Sequence, residues 1–218
     1  MKEITFYLDF VSPYSWLAFE QLPKALEGLS VCVRYRPVLL GALLAQHGNP
    51  GPAGIAPKRA WTLRHVRWLG RSLGCGLDVP PQFPFNSLPL LRLALRHSED
   101  GCINRYTAGT VLRHVWLGGH DPLDPARLEA LTLALAEQWQ PEGDASAHAK
   151  ALLRANTDAA AAQGVFGVPM FEVRGRLFWG LDGLTLLRAF LDGDAWFDGP
   201  AWEDAAQVPS GLASGGSP

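Results

Sequence analysis

An alternating apolar run, a serine-proline pair and a second apolar run at helical spacing leave this chain little choice at its start. Residues 2 to 9 set Ile4, Phe6 and Leu8 against Glu3, Thr5 and Tyr7, the period of a strand with one buried face. Ser12 and Pro13 follow. A serine at the N-cap accepts from the unbonded amides of a first helical turn, and a proline at N1 has no amide to leave unsatisfied. A helix is therefore predicted from here, with Trp16, Leu17, Phe19, Leu22 and Leu26 as its apolar residues. Pro23 is predicted to kink or split it, and Gly28 to stop it. Val31, Val33 and Tyr35 then alternate with Cys32 and Arg34 as a second strand ending at Pro37, which completes a unit long enough for a parallel pair. The same helix start aims backbone N–H groups and the positive end of a dipole at whatever lies outside Ser12, which favours an anion. The plainer reading is that Ser12 is only a cap.

Beyond this unit, Gly48 to Lys58 is dense in glycine and proline and reads as a loop. Roughly a hundred helical residues follow: Arg59 to Leu73, Ser87 to His97, Gly101 to Leu117, Pro125 to Trp139 and Ala145 to Gln163, with a proline-rich loop from Val79 to Asn86. Strand signals return at Pro169 to Val173 and Leu177 to Trp179, and Arg174-Gly175-Arg176 between them predicts a tight hairpin turn. A last helix is expected from Gly183 to Leu191, and a loop-like tail beyond Gly199. The order is βαβ, a block of helices, then ββα. That is an α/β chain with the element order of a thioredoxin-like domain carrying a large all-helical insertion. The expected division gives 1–48 and 164–199 to the discontinuous α/β domain, 49–163 to the inserted loop and helices, and 200–218 to the tail.

Composition narrows the partners. A net charge of -2 gives no reason to expect nucleic acid or an anionic membrane, and no apolar stretch approaches the length of a span. The N-terminus lacks the apolar core of a signal segment, so a cytoplasmic protein is expected. Cys32, Cys75 and Cys102 are scattered without CxxC spacing, and none of the six histidines pairs with another at ligand spacing, so neither disulfides nor a metal site is expected.

The run Phe6 to Leu17, with Ser12-Pro13-Tyr14-Ser15-Trp16 at its centre, the Gly48-Asn49-Pro50 loop and Gly164-Val165-Phe166-Gly167-Val168-Pro169 together resemble the 2-hydroxychromene-2-carboxylate isomerases. These group with kappa-class glutathione transferases and, more remotely, with DsbA-type disulfide oxidoreductases. Oxidoreductases of that fold begin the first helix with a CxxC whose thiol the dipole acidifies. Here the place is held by Ser12-Pro13-Tyr14-Ser15, so any sulfur must be brought in. The resemblance implies that it comes from glutathione, with Ser12 as the catalytic residue. A serine hydroxyl is a donor and a poor base, so its part is to stabilise a thiolate rather than to take a proton.

The resemblance further implies a cofactor site. Val168-Pro169 corresponds to a cis-proline whose preceding residue pairs its backbone with the cysteinyl part; the alternative is a plain turn before a strand. Asn49, with Lys58 or Arg59, corresponds to the group that holds the glycyl carboxylate, an amide and a cation being a sound carboxylate trap. Asp182 corresponds to the residue that receives the γ-glutamyl ammonium, although Leu181 and Gly183 depart from the family pattern and an ordinary N-cap explains Asp182 as well. A small aromatic 2-oxo acid or hemiketal substrate would lie between the lobes against Tyr14, Trp16, Trp61, Phe83 or Phe85, each weighed against a core role. Thiolate addition would make a conjugated double bond single, and rotation and loss of the thiolate would give the trans isomer. A homodimer is also implied by the resemblance, with no residue pattern of its own behind it. A kappa-like transferase acting on electrophiles and a non-catalytic binding protein of this fold are the alternatives.

Overall fold

The alternating start forms β1 (Lys2–Leu8), and β2 (Val31–Pro37) lies parallel beside it. β3 (Met170–Val173) pairs antiparallel with the other edge of β1, and β4 (Arg176–Trp179) closes the order β2-β1-β3-β4. A computed structural model describes residues 1–98, 100–137 and 145–209. Between β3 and β4, Arg174 and Gly175 take φ values of 53° and 80°, the two left-handed positions of a two-residue hairpin.

The register puts Tyr35, Phe6, Phe171 and Phe178 in one row across the sheet. Neighbouring rings lie 5.7 Å apart for Phe6 and Tyr35 and 4.7 Å for Phe6 and Phe171. This row packs in the main core with Trp16, Leu17 and Phe19 of α1 (Pro13–Ala25) and Leu184, Leu187 and Leu191 of α8 (Gly183–Asp192). On the opposite face, Tyr7 and Met170 pack with Val38, Leu43 of α2 (Leu40–Gln46) and Ala160 of α7 (Ala145–Ala162). The remaining helices between β2 and β3 are α3 (Ala56–Ser72), α4 (Leu88–Leu95), α5 (Arg105–Trp116) and α6 (Pro125–Ala136). The α/β order with its block of helices is thus the one the sequence predicts.

Several expectations change. Pro23 does not split α1, which runs through it to Ala25. The proline leaves the Phe19 carbonyl without an amide partner, and Arg105 supplies the donor instead (Nη2 to O, 3.4 Å) while its guanidinium lies 4.1 Å from the Phe19 ring centre and binds the Tyr35 hydroxyl at 2.8 Å. α2 lies between the predicted strand end at Pro37 and the predicted loop from Gly48, a stretch to which the sequence pattern assigns no element. α5 starts at Arg105 rather than Gly101 because Ile103 is still bridged to Tyr35 at the sheet edge, and Asn104 then caps the helix on the Thr107 amide at 2.8 Å. The tail is not loop-like at its start: α9 (Ala201–Ala206) brings Trp202 against Phe178, Phe197 and the Arg176 guanidinium. The expected end of α6 at Trp139 and the tail from 210 onward lie outside the described residues.

Asp9, at the C-terminal end of β1, is completely buried. Its Oδ2 accepts the first amide of α2 (Leu40, 2.9 Å) and its Oδ1 the amide of Val11 (3.2 Å), while its carbonyl accepts the amide of Ser12 (3.1 Å). Burial raises its pKa above the usual carboxylate value, and the Ser87 hydroxyl and the backbone amides around it pull the other way.

Two outcomes follow for stability. A carboxyl whose folded-state pKa is raised binds its proton more tightly in the folded chain, so folding stability falls as pH rises from the unfolded value of about 3.9 through the raised one. The thermal-midpoint difference between wild type and Asp9→Asn is expected to shrink over that window; a difference that grows with pH would contradict the assignment. Arg105→Ala is expected to lower the urea midpoint more than Arg113→Ala, whose exposed pair with Glu20 (3.3 Å) contributes at most about 1 kcal/mol. Equal midpoints would show that the Phe19 carbonyl finds another donor.

Candidate active site

Ser12 sits where β1 hands over to α1. It takes extended backbone angles (φ -88°, ψ 114°), and its Oγ accepts the Ser15 amide at 3.3 Å as an N-cap does. The hydroxyl also donates to the carbonyl of Val168 at 3.4 Å. The Val168–Pro169 bond is cis, and Val168 and Ser12 are 8% and 5% exposed. Residues 156 positions apart are therefore brought together at one helix N-terminus. Ser15, one turn in, is fully buried, and its Oγ has no hydrogen-bond partner among the described residues.

A helix start of this kind stabilises negative charge through its unbonded amides and dipole. The bond from Ser12 to Val168 is long for O–H···O, so the hydroxyl can rotate and donate its hydrogen bond to a better acceptor close by. A thiolate is such an acceptor.

The surrounding residues divide into three groups. Tyr14, half-buried in the first turn of α1, bonds through its hydroxyl to His65 Nδ1 on α3 at 3.0 Å. Burial first and the negative charge of Asp182 second hold its phenol pKa above the ordinary value. Asp182 stands at the start of α8 without capping it through its side chain; the carboxylate folds back over Gly180, where a Cβ would collide with it. Tyr14, Asp182 and the Ser12 turn thus share one neighbourhood. Trp61, 57% exposed, meets His65 from the same side of α3, its ring tilted at a centre-to-centre distance of 4.5 Å.

The second group is displaced from an open wall. Trp16 is 1% exposed and its indole N–H donates to the Gly76 carbonyl at 2.8 Å. This corrects its expected place against a substrate: packing in the main core leaves it no open face. Phe83 and Phe85 are half-buried against the same core, Phe83 edge-on to Trp116 at 6.0 Å, and Phe83–Pro84 is a second cis bond.

The third group is exposed. The Asn49 side-chain oxygen closes a turn on the Gly51 amide at 2.8 Å, so the donor it can offer a carboxylate is its amide nitrogen. Lys58 and Arg59 lie on the exposed first turn of α3. A cavity of about 460 Å³ between α4 and α6 is lined by Asn86, Leu88, Arg92, Arg96, Leu128 and Thr132. None of the expected site residues lines it among the described residues.

Sequence reasoning missed Asp9, Ser15, His65 and the exposed pair Phe166 and Trp179, which meet edge-on at 5.1 Å beside the cis-proline. Phe166 stands inside the motif that carried the resemblance and was readable; the partners of Asp9 and His65 lie on other elements. No group of three or more histidine, cysteine, aspartate or glutamate residues fit to hold a metal occurs among the described residues.

The 2-hydroxychromene-2-carboxylate isomerase of Sphingobium xenophagum is 29% identical over 87% of this chain and 98% of its own length. Glutathione S-transferase kappa 1 of Rattus norvegicus is 26% identical over 89% of this chain and 92% of its own. A solved 2-hydroxychromene-2-carboxylate isomerase superposes with a TM-score of 0.72 at 22% identity, over 90% of this chain and 97% of that one, a likeness of fold. The model of the DSBA-like thioredoxin domain matches residues 3–192, from the first strand to the end of α8, and by that span the chain belongs to the DSBA-like thioredoxin family.

Proposed function

We propose that this chain binds glutathione at the N-terminus of α1 and uses it as a returned thiol cofactor. The reaction is the cis-trans isomerisation of a small aromatic 2-oxo acid, of the pair 2-hydroxychromene-2-carboxylate and trans-o-hydroxybenzylidenepyruvate. The observation that carries this reading is the pairing of a sulfur-free helix start, Ser12-Pro13-Tyr14-Ser15, with the cis Val168–Pro169 bond at hydrogen-bond range of the Ser12 hydroxyl. The relatives named as isomerases and kappa transferases agree with it.

The residues suit the cofactor. Ser15 carries a buried hydroxyl with no partner among the described residues, and Ser12 holds a long, exchangeable bond. Bound glutathione supplies a thiolate whose reversible addition to a conjugated bond permits rotation. The chain has four tasks around it. Ser12 donates to the negative sulfur position, assisted by the α1 dipole. The Val168 backbone fixes the cysteinyl part as an added strand does. Asn49 with Lys58 or Arg59 holds the glycyl carboxylate, and Asp182 receives the ammonium. Tyr14 and Trp61 face the arene. The free cysteines Cys32, Cys75 and Cys102 suit a reducing compartment, which agrees with a cytoplasmic location.

A second reading has separate support. The kappa transferase of Rattus norvegicus matches nearly as well as the isomerase, so the same site could release a thioether from an electrophile instead.

Calorimetry with reduced glutathione is expected to give one site. Removing the Ser12 hydroxyl withdraws a donor from the anion, so the bound thiol pKa rises and the acid limb of the rate profile moves to higher pH in Ser12→Ala. Turnover is expected to fall on the order of 100-fold, the cost of losing one anion donor. An unmoved acid limb would remove Ser12 from this role. The trans product should accumulate with total glutathione constant; glutathione lost in step with substrate would instead support the transferase.

A further inference from the structure

We propose that His65 is the positioning residue of this site, turning the Tyr14 hydroxyl so that its proton is donated to an anionic or ketonic oxygen of the bound ligand. The inference deepens the function proposed above and rests on it for the ligand.

His65 lies at the centre of a row on α3. Trp61, four residues before it, meets the imidazole at 4.5 Å with 33° between the planes; Trp68, three residues after it, lies 6.4 Å away and nearly parallel at 12°. Positions i-4 and i+3 share a helix face, so both indoles flank the same imidazole. They restrain the ring from turning and direct one edge at α1. That edge is Nδ1, 3.0 Å from the Tyr14 oxygen.

Tyr14 has one proton and two directions in which to donate it. With Nδ1 bare, the phenol spends its proton on the imidazole and offers the site only lone pairs. With Nδ1 carrying hydrogen, the imidazole donates to the phenol oxygen and the Tyr14 proton is free for the site. The position of Tyr14 favours the second arrangement: the residue stands in the first turn of α1, and an anion drawn to that helix N-terminus is a stronger acceptor for the phenol than a neutral imidazole nitrogen. A half-buried donor in the turn after Ser12, with an exposed indole face at Trp61 beside it, suits a planar arene that bears an anionic or ketonic oxygen. An aromatic 2-oxo acid has both parts.

No sequence pattern announces this arrangement. His65 has no second histidine or cysteine at ligand spacing, and 51 residues separate it from Tyr14. It acts through Tyr14 and is not itself placed on the substrate.

The test uses the full chain labelled with nitrogen-15, with long-range proton-nitrogen correlations read for the His65 ring. Wild type is expected to carry hydrogen on Nδ1, and Tyr14→Phe, which removes the oxygen that holds it, to revert to hydrogen on Nε2. Hydrogen on Nε2 in both proteins would overturn the proposal. Kinetics with saturating glutathione form the second arm. His65→Phe keeps a flat ring between the tryptophans but has no nitrogen. Its turnover is expected to fall about tenfold, less than the ~100-fold cost of losing a donor outright, with the KM for glutathione unchanged. His65→Asn, which can place an amide N–H near the Nδ1 position, should recover most of the loss. Undiminished turnover in His65→Phe, or equal damage in both variants, would contradict the positioning role. The two readings fail separately. If glutathione leaves the Ser12 and Ser15 amide signals unmoved, the proposed function falls; if those signals move while the tautomer is the wrong one, only the assignment of His65 falls.

Discussion

The molecule depends on one buried carboxylate. Asp9 is wholly out of solvent, and around it meet the end of β1, the first amide of α2, the turn that leads into Ser12 and the Ser87 hydroxyl before α4. A buried carboxylate is tolerated only when its lone pairs are filled, and here backbone amides from two separate segments fill them. The same bonds hold the Ser12 turn in place relative to the sheet. The position of an anion-binding helix start is thus fixed by an acidic group that must itself stay satisfied.

That arrangement carries an electrostatic tension. Asp9 stands three residues before Ser12, and Asp182 acts on Tyr14 from the start of α8, so negative side chains flank a place that favours an anion. At Asp9 the amides of Val11 and Leu40 and the Ser87 hydroxyl offset it. At Asp182 an ammonium group on the ligand would meet the charge. Backbone amides, the helix dipole and hydroxyls supply the positive potential at Ser12, while the candidate cations Lys58 and Arg59 lie on the exposed start of α3. Such a site suits a zwitterionic ligand that carries its own positive end.

The sheet, α1 and α8 were legible because their signals are local: alternation in β1, Ser12-Pro13 at a helix start, and Arg174-Gly175 at a hairpin. What was not legible depends on partners far along the chain. α2 is short and has no side-chain cap of its own; its first amide is satisfied by Asp9, 31 residues earlier, and the Leu39 amide before it by Thr157 Oγ1 at 3.0 Å. Pro23 predicts a broken helix until Arg105 is seen to replace the missing amide. Trp16 and Trp61 look alike as pocket candidates in one dimension, yet one is 1% and the other 57% exposed, because only the fold decides which faces the core. For the site, the Ser12 turn and the Val168-Pro169 pair were readable as motifs, and their meeting at 3.4 Å follows from β1 and β3 being neighbours.

The account stands most directly on where a thiol sits. A crystal structure of the chain grown with reduced glutathione should place the sulfur within hydrogen-bond reach of Ser12 Oγ, with the cysteinyl backbone against Val168 and the glycyl carboxylate toward Asn49. Sulfur density in the cavity between Arg92 and Thr132, or glutathione density lying away from the α1 N-terminus, would contradict it.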